Sequence, residues 1–364
     1  MPNKKVAIVY LSFHCEPYIT DVVESLKKLD YPKELIEFVI VDNPHPTHGP
    51  SVPYLNEHVM PLSGNAIPHS TLLAQSENLG FAGGNNKGVD WAIANGFDYV
   101  FFHNNDGALA PHSITALVEA MEADPYIGIA QSLMLLDPDK HLVNSTGNMF
   151  HYLGFGYCGD YRRPVTELNY PNVRDVPYAS GAAFIISTKL LQEIGSWDHD
   201  FFLYHEDLEF SLRARITSRR VVCVMDSVFY HKYEFSRSIS KYFWMERNRY
   251  GVLLMFFKWP TLLLILPILI PLELGLWVFS LKGGWMGERV KVLKYWIKPS
   301  TWKLWLGKRK KTQAMRQISD KAILANCVGS ILFQESSMES PIVTKFANPI
   351  MELYFKIVKF IVQW

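Results

Sequence analysis

The sequence has little cysteine: four in 364 residues, Cys15, Cys158, Cys223 and Cys327, widely spaced and without a CxxC pair. That excludes a zinc knuckle or a disulfide framework and fits a reducing compartment. Net charge is also nearly absent. Thirty-six Lys and Arg against 35 Asp and Glu leave a formal +1, which excludes a generally basic nucleic-acid binder, so no nucleic-acid partner is expected. The start, MPNKKVAIVYL, lacks an apolar run long enough for a signal-peptide core, so the N-terminal part is expected to stay in the cytosol. What is present is apolar residue, 49% with 14% aromatic, which excludes a disordered chain and suffices for a sizeable core. The length allows two domains or one large α/β domain with additions.

The near-zero charge hides a division. Residues 282–321 hold twelve Lys and Arg against two acids, a local +10, which leaves −9 for the rest. Just before them lies Val252–Leu281, apolar except for Lys258 and Glu273. A basic stretch after an apolar one marks a membrane surface. Three segments follow: 1–250 as a soluble domain, 251–281 as an apolar anchoring segment, and 282–364 as a basic, amphipathic helical tail.

In the first segment, KVAIVYL (5–11) reads as a buried strand, Tyr18–Leu29 as an amphipathic helix closed by Pro32, and IEFVIV (36–41) as a second strand. This is a βαβ unit, which predicts a parallel sheet. Further strands are expected at 71–75, 99–102, 127–133, 182–186 and 221–224, and helices at 86–94, 113–123 and 208–217. The fold class is α/β.

Ligands in open α/β sheets sit beyond the carboxyl ends of the strands. Asp42-Asn43 follow the second strand, where turn-forming residues are the plainer reading. After 99–102 comes His103-Asn104-Asn105-Asp106-Gly107, again a turn, or a place where Asp106 meets a hard cation that takes its other ligands from a diphosphate. The run Asn78-Leu79-Gly80-Phe81-Ala82-Gly83-Gly84-Asn85-Asn86-Lys87-Gly88 fits neither GxGxxG nor the GxxxxGK[ST] phosphate loop. It suits a loop that offers N–H groups to an anion at a helix start. In WDHDFFLYHEDLE (197–209), Glu206-Asp207 are helix-capping acids or a base in a partly dry cleft. His231 ends the strand-like run VFYH and matters only in combination.

In this order, VIVDN (39–43), ENLGFAGGNNKG (77–88), FFHNNDGAL (101–109), SGAAFIIS (180–187), GSWDHDFFLYHEDLEFSLRA (195–214) and VFYHKYEFSRSISKYFWMERNR (228–249) resemble family 2 glycosyltransferases of the GT-A fold, in particular the bacterial rhamnosyltransferase-like branch of cell-surface polysaccharide synthesis. The resemblance spans 5 to about 250. It implies a Rossmann-like, mostly parallel sheet flanked by helices. Asp42 and Asn43 would bind the nucleoside of a nucleotide-sugar donor, with Asn78, Gly80, Asn85 and Asn86 lining its pocket. Asn104-Asn105-Asp106 stands at the family's DxD signature, so Asp106 and His231 would hold Mg²⁺ or Mn²⁺, and Asp207, beside Glu206, would be the catalytic base. The reaction implied is inverting transfer of a hexosyl or deoxyhexosyl group to a lipid-linked glycan acceptor.

Departures fall at Ser12-Phe13-His14-Cys15 and Pro44-His45-Pro46-Thr47-His48, both of which face the nucleoside in the family. The aromatic stretch 150–177 offers either an acceptor platform or a packed surface loop. Arg237, Lys241, Arg247 and Arg249 suit either phosphate contacts or a solvated helix face. Pro260, Pro267 and Pro271 interrupt a simple span, which favours a hairpin or in-plane anchor that keeps both flanks on the cytoplasmic face of an anionic membrane. Trp285, Trp296, Trp302 and Trp305 suit its headgroup zone. A non-catalytic sugar-nucleotide or glycan-binding subunit of a membrane assembly is the alternative.

Overall fold

The computed structural model describes residues 3–233, 241–334 and 339–364. In chain order the first half contains β1 (Val6–Ser12), α1 (Ile19–Leu26), β2 (Ile36–Asp42), α2 (Val52–His58), β3 (His69–Ala74), α3 (Gly80–Ala94), β4 (Tyr99–His103), β5 (Gly107–Leu109), α4 (Ser113–Ala123), β6 (Ile127–Leu136), β7 (Val143–Ser145), β8 (Asn148–His151) and β9 (Gly156–Cys158). It continues with β10 (Val173–Asp175), β11 (Ala183–Ser187), α5 (Thr188–Ile194), α6 (Glu206–Ile216), β12 (Arg220–His231), α7 (Lys241–Phe256), α8 (Trp259–Lys282), α9 (Met286–Trp296), α10 (Pro299–Ala314), α11 (Asp320–Ala325), β13 (Cys327–Val328) and α12 (Asn348–Ile361). The chain forms two compact units. The first comprises 1–148, 158–202 and 219–234, and the second 149–157, 203–218 and 235–364.

The first unit is built on one large sheet of order β10-β12-β6-β11-β4-β1-β2-β3, with β5 on β12 and β7 on β6. Every residue of β1 and β2 is buried, as expected when helices cover both faces of a parallel sheet. β1 pairs in parallel with β2 and β4, and β12 with β6, but β11 runs antiparallel between β4 and β6. The sheet is thus mixed, parallel through β3-β2-β1-β4 and between β6 and β12, with β11 antiparallel between these two parts. A short run such as AFIIS, buried throughout its central residues, carries no mark of its direction.

The glycine-rich run 78–88 is also different from the expected loop: α3 already begins at Gly80. A Cβ on Gly84 would overlap Leu11 and Asn43, and one on Gly88 would overlap Val9. These glycines let the helix lie close on β1 and β2. Close approach, not turn geometry, explains them.

The second unit is helical, with a small sheet of order β13-β8-β9. Phe150, Tyr152, Leu153 and Tyr157 are buried, and Tyr152 stacks on Phe355 with ring centroids 4.8 Å apart. Of the two readings of this stretch, packing holds for these residues. α8 runs unbroken through Pro267 and Pro271, so the prolines create no hairpin there. Among the described residues it is the helix long and apolar enough to cross a membrane, and only 6% of its most apolar window is buried. The expected tryptophan belt is thinner than the sequence suggested. Trp305 is fully buried and Trp285 nearly so; Trp305 fills the space over Gly251, and Trp285 stacks on Tyr242.

Candidate active site

Strand register creates the most specific feature of the first unit. β5 pairs with β12 so that Gly107 lies opposite His231, which sets the preceding residue, Asp106, beside the histidine at the end of its strand. A Cβ on Gly107 would overlap the Phe229 ring, so this approach needs glycine. His231 Nε2 is 3.1 Å from Asp106 Oδ1, and Asn104 Nδ2 donates to the same oxygen at 2.5 Å. Burial pushes the Asp106 carboxyl up, but the charge and hydrogen bond of His231, a backbone N–H and the Asn104 amide outweigh it and hold the group below its usual range.

Asn144 Oδ1 lies 2.9 Å from His231 Nδ1. Donation from Nδ1 to this oxygen holds the ring with Nε2 toward Asp106, the orientation a metal-ligating histidine needs. Among the described residues no group of three or more His, Cys, Asp or Glu side chains is gathered for a metal. Asp106 and His231 therefore fit a hard cation that draws its remaining ligands from a diphosphate or water. Asn105 is turned away: its Nδ2 donates to Phe13 O at 3.0 Å.

Asp42 is fully buried at the end of β2. Ser12 Oγ donates to its Oδ1 at 2.6 Å and the Ser51 N–H to its Oδ2 at 3.1 Å. Burial raises its pKa in spite of these bonds. Asn43 Nδ2 donates to Gly80 O at 2.9 Å, while its Oδ1 is buried with no hydrogen-bond partner among the described residues. Asn78 Oδ1 accepts from the Gly80 N–H at 2.8 Å. Asn86 exchanges two hydrogen bonds with the backbone of Trp197, each 2.9 Å, and Asn85 Nδ2 donates to Phe81 O within its own helix. The structure thus commits Asn78, Asn85 and Asn86 to holding backbone, and leaves Asn43 with an open acceptor.

The two departures from the family pattern come together. His14 stacks on His48 with centroids 3.9 Å apart, and His45 lies between Phe13 and His48. His45 Nδ1 accepts from the backbone N–H groups of Thr47 and His48, which places its proton on Nε2. Burial, then the neighbouring His48 and His14, lower the His45 pKa. The spacing from 14 to 45 gave no sign of this cluster.

In the second unit, Glu206 and Asp207 occupy the first turn of α6, where the helix dipole favours negative charge. Two left-handed residues, Tyr204 and His205, with φ of 63° and 65°, precede them. Asn248, fully buried, holds this strained turn by donating Nδ2 to Leu203 O at 3.1 Å and Tyr204 O at 2.7 Å. His205 Nε2 lies 3.0 Å from Gly154 O; burial lowers its pKa to about 4, so it donates as neutral imidazole. Burial and then the Asp207 charge raise Glu206 to about 8, and its Oε2 has no hydrogen-bond partner among the described residues. Burial and the adjacent carboxylate thus both disfavour a second charge on this pair.

Sequence reasoning missed Asn144 and Asn248. Each is a lone amide in an unremarkable context, one in VNST and the other flanked by arginines. Arg249, read as phosphate-binding or solvated, is neither: it is buried and bonded to Glu246, Glu273 and Leu153 O. Arg237 lies outside the described residues.

A mixed α/β sheet with helices on its faces and an Asp–His pair at a carboxyl edge has the GT-A architecture. A family profile described as "Glycosyltransferase like family 2" matches residues 2–250, and the chain belongs to that family. The low-salt glycan biosynthesis hexosyltransferase Agl10 of Haloferax volcanii is 26% identical over 141 residues, which is 38% of this chain and 44% of that protein. The uncharacterized protein Rv1525 of Mycobacterium tuberculosis is 29% identical over 144 residues, 38% of this chain and 48% of its own. The chain thus spans under half the length of these curated relatives. Among solved structures, GalNAc-T7 with UDP, GalNAc and Mn²⁺ aligns with a TM-score of 0.52 at 14% identity, over 69% of this chain and 48% of its own. That likeness shows the fold alone.

Proposed function

We propose that this protein is an inverting, metal-dependent glycosyltransferase that moves a hexosyl or deoxyhexosyl group from a nucleotide-sugar to a lipid-linked glycan, at the cytoplasmic face of a membrane. The observation that carries the reading is the Asp106–His231 pair, with the imidazole oriented by Asn144, in a chain of family 2. The hexosyltransferase activity in the name of Agl10, and the UDP and Mn²⁺ bound to GalNAc-T7, support the donor and cation classes. The rhamnosyltransferase-like branch is the finer form of the same proposal.

Mg²⁺ or Mn²⁺ held by Asp106 and His231 would neutralise charge on the departing diphosphate. Asp207 takes the proton of the attacking acceptor hydroxyl. Glu206, kept neutral by burial and by Asp207, adds no second negative charge to repel a phosphorylated substrate. Asn248 and His205 hold the turn from which both acids project. Asp42 and the open acceptor of Asn43 face the nucleoside, and the Phe13, His14, His45 and His48 rings stand where the base would lie. α8 and the exposed lysines of the basic tail face anionic lipid.

The test is release of nucleoside diphosphate by purified protein with Mn²⁺ across a panel of nucleotide-sugars. Asp207→Asn should lose about 10²- to 10⁴-fold in turnover, the range of general-base catalysis, while still binding donor. Full turnover in that variant would remove Asp207 as the base.

A further inference from the structure

The second unit carries a cavity of about 440 Å³ that none of the candidate site residues lines. Ligand pockets commonly have volumes of roughly 300–1,000 Å³. Its walls come from α7, α8, α9 and α10, and all but a few lining groups are aliphatic or indole. Leu253, Ile265 and Val292 form a buried interior, whereas Trp259, Leu266, Leu293 and Trp302 line it and are exposed. The cavity therefore opens at the protein surface.

One end is polar. Glu273 and Arg289 line it and belong to a four-membered ion-pair network with Glu246 and Arg249. The two acids and two arginines cancel in charge, so the network closes this end without attracting a charged ligand. Two lining residues keep an unused donor: Arg289 Nε and Trp296 Nε1 are buried with no hydrogen-bond partner among the described residues. Orphaned buried N–H groups are costly, and an acceptor on a bound molecule would satisfy them.

The surface beside the opening shows where such a molecule comes from. Leu263, Ile270, Leu274, Val278 and Leu281 of α8 are exposed, and so are Ile350, Leu353 and Phe360 of α12. The two helices are joined by Tyr354 OH donating to Leu264 O at 2.6 Å. Apolar surface on this scale belongs against lipid. Lys294 and Lys298, exposed on and just after α9, supply positive charge close in the chain to the lining residues Leu293 and Trp296.

We propose that the cavity holds one acyl chain of an anionic membrane phospholipid, with ester oxygens accepting from Arg289 Nε or Trp296 Nε1 and the head meeting the α9 lysines. The inference rests on the membrane association proposed above, but not on the transfer reaction. A lodged chain would fix the protein in the leaflet more firmly than contact through α8 alone.

The full chain is mixed with vesicles of phosphatidylcholine and phosphatidylglycerol that carry a phosphatidylglycerol with a photoactivatable group on its acyl chain. The expected result is sedimentation with the vesicles and labelling of lining peptides from α7 and α9. Ile265→Trp, which fills the interior, and Leu293→Glu, which charges the exposed mouth without touching the core, should each cut that labelling by about tenfold, a difference of 1.4 kcal/mol in occupancy, while sedimentation persists. Labelling that both variants leave unchanged overturns the proposal, as does labelling confined to α12. Displacement by a polyprenyl phosphate but not by unlabelled phosphatidylglycerol overturns the choice of occupant. Failure of the wild-type protein to sediment removes the membrane association itself, a result separable from the others because no variant is needed to see it.

Discussion

The two units treat charge and grease in opposite ways. In the sheet unit the apolar strands are inside, and buried Asp42 and His231, with half-buried Asp106, sit at strand ends with short-range partners. In the helical unit the charges of Glu246, Arg249 and Arg289 are inside, while α8 and α12 turn leucine, isoleucine and phenylalanine outward. A sheet unit with polar strand ends is organised around a site. A helical unit with an ionic interior and an apolar exterior suits the membrane association proposed above.

The comparison breaks most sharply at Arg249. Its guanidinium meets Glu246 and Glu273 and also donates to Leu153 O. Arg249→Met keeps most of the side-chain volume but leaves two acids to a single arginine. Removing one partner of a buried ion pair costs about 3–5 kcal/mol. Denaturant unfolding of the full chain in detergent should show that loss. A change below about 1 kcal/mol, the scale of a surface pair, would mean that the network is solvated and the interior not ionic.

A smaller effect tests the sheet unit. Asn144 touches the candidate metal only through His231. Removing a partner that orients a metal ligand typically costs about 10–100-fold in metal affinity. Asn144→Ala should weaken Mn²⁺ binding, read by calorimetry or by the Mn²⁺ dependence of turnover, by that factor, with Asn144→Asp recovering part of it. Unaltered Mn²⁺ affinity would make the Asn144 contact a packing detail and the pair at Asp106 no metal site.

Much of the sheet was legible because buried strands are short apolar runs ended by polar residues. KVAIVYL and IEFVIV lie within one residue of β1 and β2 at either end, and 113–123 is α4. Three things were not legible. The direction of β11 has no local signature, since a doubly buried strand is the same pattern either way. The glycines of α3 resemble a loop until the strand beneath them is seen, because they answer to a long-range contact. In the site, Asp106 and His231 stood out as residues, but their meeting depends on the Gly107–His231 register across more than a hundred residues. Asn144 and Asn248 act through geometry, which no composition records.

The gentlest change bears on the acids of α6. Glu206→Gln keeps the shape of the protonated acid and cannot ionise. In the folded protein burial and Asp207 raise this carboxyl from 4.5 to about 8. Between those values the unfolded chain has lost the proton and the folded chain retains it, so wild-type stability must fall as pH rises through this window and level off above it. The buried histidines of the same unit act with the opposite sign. His151 and His205, lowered by burial to about 3 and about 4, stay neutral when folded, so their contribution is lost as pH falls below about 6.5, where the unfolded imidazoles charge. The helical unit should therefore be most stable near pH 6.5. Unfolding measured at pH 5, 6.5 and 8 should show Glu206→Gln gaining on the wild type at each step, with a steeper rise from pH 5 to 6.5 and a smaller fall from pH 6.5 to 8. A variant that tracks the wild type at every pH would show that Glu206 is ionised in the folded protein, and that the paired acids carry two charges instead of one.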